Sequence, residues 1–188
     1  MLQSTHTPRP QMPEQARFLI SDYPRETWPN HPNFAQKTQN WMGAHNGFRQ
    51  LSSINKEICE DWIDKNADDE KLIRYLGHYG DLLIRNLHGH HSWEDRSFFP
   101  EIFAADPRAE VGLDTLESDH EELDQRLDDI TTKANRVIKL ATLAPKQIHE
   151  EIGELHQEFC ALGTLLDRHL TDEKELIVPV ILHYKLRG

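Results

Sequence analysis

The feature that most constrains this chain is a stripe of residues spaced alternately three and four apart, present in four segments. In the last segment Ile152, Leu155, Phe159, Leu162, Leu166, His169, Glu173, Leu176 and Val180 follow it without a break. In the third, Leu113, Leu116, His120, Leu123, Leu127, Ile130 and Val137 keep the same step, with Ala134 between the last two. The second runs Ile73, Leu76, Gly80, Leu83, Leu87, His90 and Glu94, with Phe98 one turn on. The first has Trp41, His45 and Phe48, then drifts to Leu51, Ile58 and Trp62. Such spacing puts these residues on one face of an α-helix, the seam of a helix bundle. Val/Ile/Thr runs between hairpin turns are missing, so the expected class is all-α. Helices are predicted over 35–64, 68–105, 109–141 and 145–186. Their short polar or proline-bearing separators make neighbours antiparallel, giving an up-down-up-down four-helix bundle.

Proline marks off the beginning of the chain. Six of the ten prolines lie at or before Pro32, too dense for a helix to continue. Residues 1–33 are therefore read as an irregular proline-rich arm, and 34–188 as the bundle. Phe18, Leu19, Ile20, Tyr23 and Trp28 suggest that part of the arm packs on the bundle. The first dozen residues are expected to be mobile.

The seams carry residues that do not belong in a dry core: His45, His90, Glu94, His120, His169 and Glu173. An ionised buried carboxylate costs several kcal/mol unless it is paired or binds a metal. Neither Glu94 nor Glu173 has a Lys or Arg on a matching seam. The bland alternative is a satisfied polar network; the sharper one is a shared cation. The arrangement is also repeated. His90-x3-Glu94-x5-Pro100 returns as His169-x3-Glu173-x5-Pro179, and the lone His45 returns as His120. Positions four apart share a helix face, so each His-x3-Glu pair can reach one centre or two adjacent ones. A two-fold ligand set suits two metal ions bridged by the two glutamates.

These residues resemble a known family. His45, then His90-His91-Ser92-Trp93-Glu94-Asp95 ending in Phe98-Phe99-Pro100, then Glu117-Ser118-Asp119-His120, then His169-Leu170-Thr171-Asp172-Glu173 ending in Pro179, are similar to the hemerythrin-like HHE cation-binding domains over about 36–182. The resemblance implies a four-helix bundle around two iron ions, a non-haem di-iron centre with an oxo or hydroxo bridge. The six seam residues would be its ligands. The chain departs from the oxygen-carrying hemerythrins. Those place a His-x3-His pair on the third helix, where this chain has Leu116 and Asp124 around His120. They use His-x4-Asp on the fourth, where it has Lys174 after Glu173. It resembles instead a bacterial subgroup with one lone His and one His-x3-Glu per half, associated with peroxide, nitric oxide or iron handling. The missing histidine leaves a coordination position open unless water or another side chain fills it.

The other candidates are less constrained. His91 lies about 100° round the helix from His90 and could be a further ligand, a donor behind the ligands, or an outer-face residue. Trp41, Phe48 and Phe98 read as core residues that also line the access for a small molecule. Asp95, Asp119, Glu121 and Asp124 read as solvated charges, one of which could accept the second N–H of a ligating histidine. Glu117 lies off the seam. His78, His88, His149 and His156 read as surface residues, His183 as a bundle-end contact, and Cys59 and Cys160 as packed thiols.

Composition removes other classes. A formal charge of −11 is unfavourable for binding nucleic acid. A mean hydropathy of −0.70, with only short apolar runs, leaves no membrane span. The first residues carry no apolar leader, and two cysteines make no disulfide scaffold, so the expected location is cytoplasmic. No His-Glu-x2-His, Cys-x2-Cys or glycine-rich phosphate loop is present. The function expected is a di-iron protein that binds or turns over O2, NO or peroxide, with catalase-like activity as the enzymatic form. The alternative is an iron or redox sensor without turnover that acts through a protein partner. A homodimer or partner would engage the arm or an exposed face.

Overall fold

The structure is a computed structural model that describes residues 12–186. Four long helices form an up-down-up-down bundle: α1 (Gln36–Ile63), α2 (69–105), α3 (Glu110–Leu143) and α4 (Ile148–Tyr184). Each begins and ends within a few residues of the position predicted from the stripes. Asp68 opens α2 as an N-cap, its carboxylate accepting from the Lys71 N–H at 2.8 Å, with Asp69 and Glu70 in the first turn. Pro107 and Pro145 each open a short 3-10 turn that leads into α3 and α4.

The seam pattern did not reveal that α2 is an interrupted helix. It contains two π turns, Leu76–Gly80 and Glu94–Phe98. In the second, the Phe99 N–H reaches back to the Glu94 carbonyl. A π turn holds one residue more than an α turn, leaves backbone groups to be satisfied elsewhere and is common at functional sites. At the first, buried Asn55 of α1 donates through Nδ2 to the Tyr79 carbonyl (3.1 Å) and to Leu51 O (2.8 Å). The second carries Glu94 and Asp95 into the middle of the bundle.

Residues 12–35 hold two 3-10 turns, Glu14–Arg17 and Arg25–Asn30. Met12, Ala16, Leu19 and Trp28 are buried against Phe98, Phe99, Ile102 and Leu176 at one end of the bundle. Arg17 fixes this segment to α4 through Asp172 (2.8 Å) and Glu175 (3.0 Å), and Arg25 adds Glu175 (2.6 Å). Gly112 permits the close approach: a Cβ there would lie 2.6 Å from Leu176 Cδ2 and 3.0 Å from Ala16 Cβ. The mobility expected of the first dozen residues concerns positions 1–11, outside the described residues, and Met12, which is buried.

The apolar interior falls into two clusters. The larger runs from Phe48, Leu87, Leu123 and Leu170 to Val137 and Ile148. The smaller gathers Trp41, Phe98, Leu116 and Leu176 with the N-terminal segment. Between them, at one level on all four helices, lie His45, His90 and His91, Glu94, Asp119 and His120, and His169 and Glu173. Among the described residues, no helix is long and apolar enough to cross a membrane.

Candidate metal centre

The polar layer is buried. His45, Glu94, His169 and Glu173 have no exposed surface, His91 and His120 almost none, and the His90 side chain is 9% exposed. For all but His91, burial of this kind follows from the seams: each of these residues replaces a leucine-type position between two apolar turns.

The imidazoles converge through Nε2 in two groups. On one side His45 Nε2 and His90 Nε2 lie 3.1 Å apart. On the other His120 Nε2 and His169 Nε2 lie 3.2 Å apart, and the His91 ring stacks on His120 at 4.1 Å. The carboxylates stand between. Glu94 points Oε1 at His90 Nε2 (3.0 Å) and Oε2 at His120 Nε2 (3.7 Å). Glu173 Oε2 is 3.4 Å from His45 Nε2 and 3.9 Å from His169 Nε2. The donor atoms form two sets compact enough to hold a metal ion, His45, His90, Glu94 and Glu173 in one and His91, His120 and His169 in the other. His91 therefore sits buried with His120 and His169, which removes the outer-face reading.

The second nitrogens are held from behind. His120 Nδ1 meets Asp95 Oδ1 at 2.6 Å, and His169 Nδ1 meets Asp119 Oδ2 at 3.4 Å. An ionised carboxylate can only accept, so these contacts put the proton on Nδ1 and turn the Nε2 lone pair inward. His91 Nδ1 lies 3.8 Å from Asp124. Asp119 is not the solvated charge the sequence suggested. It is buried and also takes Arg168 at 3.1 Å, because α3 and α4 pack face to face there. No seam signal could find it; the clue available was its place directly before a seam histidine. Trp41 was read as core, and it is, but its Nε1–H also donates to Glu94 Oε1 at 2.7 Å. Phe48 packs on His90 and Phe98 on Trp41, both buried.

The electrostatics of the layer ask for cations. Burial holds His45 well below its ordinary value, helped by neighbouring His90, and burial likewise lowers His169. Burial takes His91 down to about 3, against a weaker pull upward from Asp124. Burial alone would raise Glu94, but hydrogen bonding and charge from His90 outweigh it and hold the carboxyl below its usual range. Burial, and then the charge on Glu94, push Glu173 well above it. With protein charges alone, two carboxylates this close cannot both ionise. Both Glu173 oxygens, Glu94 Oε2 and both His91 ring nitrogens are buried without a hydrogen-bond partner. Such groups are each worth about 1–3 kcal/mol of instability when left unmet. Imidazole nitrogens and carboxylate oxygens with no thiolate fit iron among the transition metals, so the residues present suit the metal the sequence implied.

The remaining histidines stand apart. His88 pairs with Asp124, His156 with Glu60, and His183 with Tyr23 at the bundle end. Cys59 is buried, but Cys160 is exposed and not the packed thiol expected of it.

Neither a curated protein nor a solved structure matches the chain. The model of the hemerythrin HHE cation-binding domain matches residues 36–181, the whole of the bundle up to the last turn of α4. That span contains every residue of the buried polar layer, and the chain belongs to the hemerythrin HHE cation-binding domain family.

Proposed function

We propose that the chain is a non-haem di-iron protein that binds or turns over a small oxidant, O2, NO or peroxide. The observation that carries the reading is the placement of Glu94 and Glu173, each next to one histidine of the first half and one of the second: His90 and His120 for Glu94, His45 and His169 for Glu173. In this reading His45 and His90 would hold one iron, His91, His120 and His169 would hold the other, and the two glutamates would serve both. His91 then takes the place of the histidine absent four residues from His120. The bundle, 34–188, is the working domain, and 1–33 is an accessory arm.

When bound, the iron pair would supply one- and two-electron redox chemistry and a position for the small ligand. The chain supplies the rest. Asp95 and Asp119 orient His120 and His169. Trp41 fixes one oxygen of Glu94, and the apolar clusters on either side keep bulk water from the layer.

The sensor reading has one observation in its favour. The Arg17 anchor of the N-terminal segment lands on Asp172, next to Glu173 in α4, so occupancy at the centre and docking of that segment share a helix turn.

The test is metal content and optical spectrum of protein produced with added iron and purified without metal-affinity resin. Two irons per chain and a near-ultraviolet band that changes with peroxide or reductant support the proposal. Zinc or no metal, with the fold unchanged in chelator, overturns it. Sustained peroxide loss by the iron form distinguishes turnover from sensing.

A further inference from the structure

Two of the four tryptophans are arranged as a column through the wall of the bundle. Trp41 is buried, its ring 4.4 Å from the His45 ring and its Nε1–H on Glu94 Oε1. Phe98, fully buried, meets Trp41 edge-on at 5.4 Å. Trp93 stacks on the other side of Phe98 at 5.1 Å and is 38% exposed. The π turn Glu94–Phe98 separates Trp93 from Phe98 along the chain, and the two rings nevertheless overlap. Trp62 stands apart: it lies 21 residues beyond Trp41, roughly 30 Å along α1, with its indole on Asp69.

We propose that Trp93, Phe98 and Trp41 form an electron route between solvent and the buried centre. It rests on the di-iron reading. Indole is among the most easily oxidised side chains, whereas a phenyl ring holds no charge and serves only as a bridge. Trp41 gives one electron toward the centre and keeps its Nε1–H on Glu94 Oε1. Trp93 then gives one electron to Trp41. A one-electron donor such as ascorbate refills Trp93, losing one electron and one proton. Two such passages deliver two electrons; with two protons taken from solvent, to which the donor releases two, they convert one hydrogen peroxide to two waters and leave two ascorbyl radicals. The donor never has to enter the bundle.

The experiment treats the iron-loaded full chain with hydrogen peroxide without ascorbate and maps oxygen addition to each tryptophan by mass spectrometry, after its iron content is measured. Trp93 should be oxidised at least tenfold more than Trp62, and ascorbate should suppress the product. Trp41→Phe should abolish most of the Trp93 product with iron still bound. Trp93→Phe, a change at an exposed ring, should keep the fold and shift the product to Trp41. Equal oxidation of Trp93 and Trp62, no tryptophan oxidation in iron-containing protein, or Trp93 oxidation unchanged in Trp41→Phe overturns the route while the di-iron reading stands. A chain that takes up no iron overturns both.

Discussion

Glu94 and Glu173 hold equivalent places in the two halves of the chain, and their surroundings differ. Glu94 sits in a π turn and is held by Trp41 and His90. Glu173 sits in an uninterrupted α-helix, and both its oxygens lack a hydrogen-bond partner. For the histidines the order is reversed. His120 and His169 are held from behind, by Asp95 of the first half and Asp119 of the second, whereas His45 Nδ1 has no partner. The carboxylate of the first half is fixed, and so are the imidazoles of the second. A repeated sequence has thus produced an unsymmetrical layer, with three histidines gathered on one side and two on the other, and with Glu173 the carboxylate that no hydrogen bond holds.

That contrast can be broken most directly by removing its carboxylates. Glu173→Ala and Glu94→Ala should each reduce iron from two per chain to one or fewer, read by metal analysis. Equal retention of both irons in either variant would remove the bridging role. Next come the carboxylates behind the rings. Asp95→Asn and Asp119→Asn should weaken metal binding about 10–100-fold. Asp124→Asn, whose partner His91 is 3.8 Å away, should weaken it less. Competition with a coloured chelator gives the order, and a larger loss in Asp124→Asn would show that His91, rather than His120 or His169, depends most on the carboxylate behind it.

Acid probes the same difference in metal-free protein. His91 titrates near 6.5 when unfolded and about 3 when folded. The unfolded chain therefore takes up the proton first. Stability from this residue is complete above pH 6.5 and falls as the pH drops, by about 2 kcal/mol at pH 5. Glu173 works the other way. Its folded value is raised, so the folded state is the one that gains a proton, and acid relieves it above the ordinary carboxylate range. Glu173→Gln should accordingly make the acid loss steeper, seen as a larger fall in the urea midpoint between pH 7.5 and 5. An unchanged or shallower fall would show that Glu173 is ionised. The smallest effect is expected from Trp41→Phe. It removes one charge-assisted hydrogen bond, about 1.5–3 kcal/mol at most, and should speed chelator-driven iron loss several-fold by making Glu94 as loose as Glu173.

The seams made most of this legible in advance. The alternating three-four step located α1 to α4 to within a few residues, and its interruptions by His and Glu located the polar layer. What the step could not show lies off it. His91 and Asp95 each follow a seam residue directly, and whether such a neighbour faces in or out depends on how α2 turns against α3. Nor could periodicity reveal a π turn, because one extra residue per turn shifts the phase by less than the width of an apolar face. The Trp41 hydrogen bond was hidden for another reason. An indole is apolar in any pattern, and its single N–H matters only once a buried acceptor stands beside it.

The polar layer has a consequence for how the molecule comes apart. A bundle whose apolar interior is interrupted across all four helices is two short bundles in series, each with less buried area than one continuous core. Cooperativity between them must pass through the layer. With its charges balanced by cations, the layer welds the two ends, and the chain should melt in a single transition. With those charges uncompensated, the end closed by residues 12–35 can loosen while the larger cluster, from Phe48 and Leu87 to Val137 and Ile148, holds. The number of transitions in a calorimetric scan, rather than their temperature, is then the readout of what the centre contains.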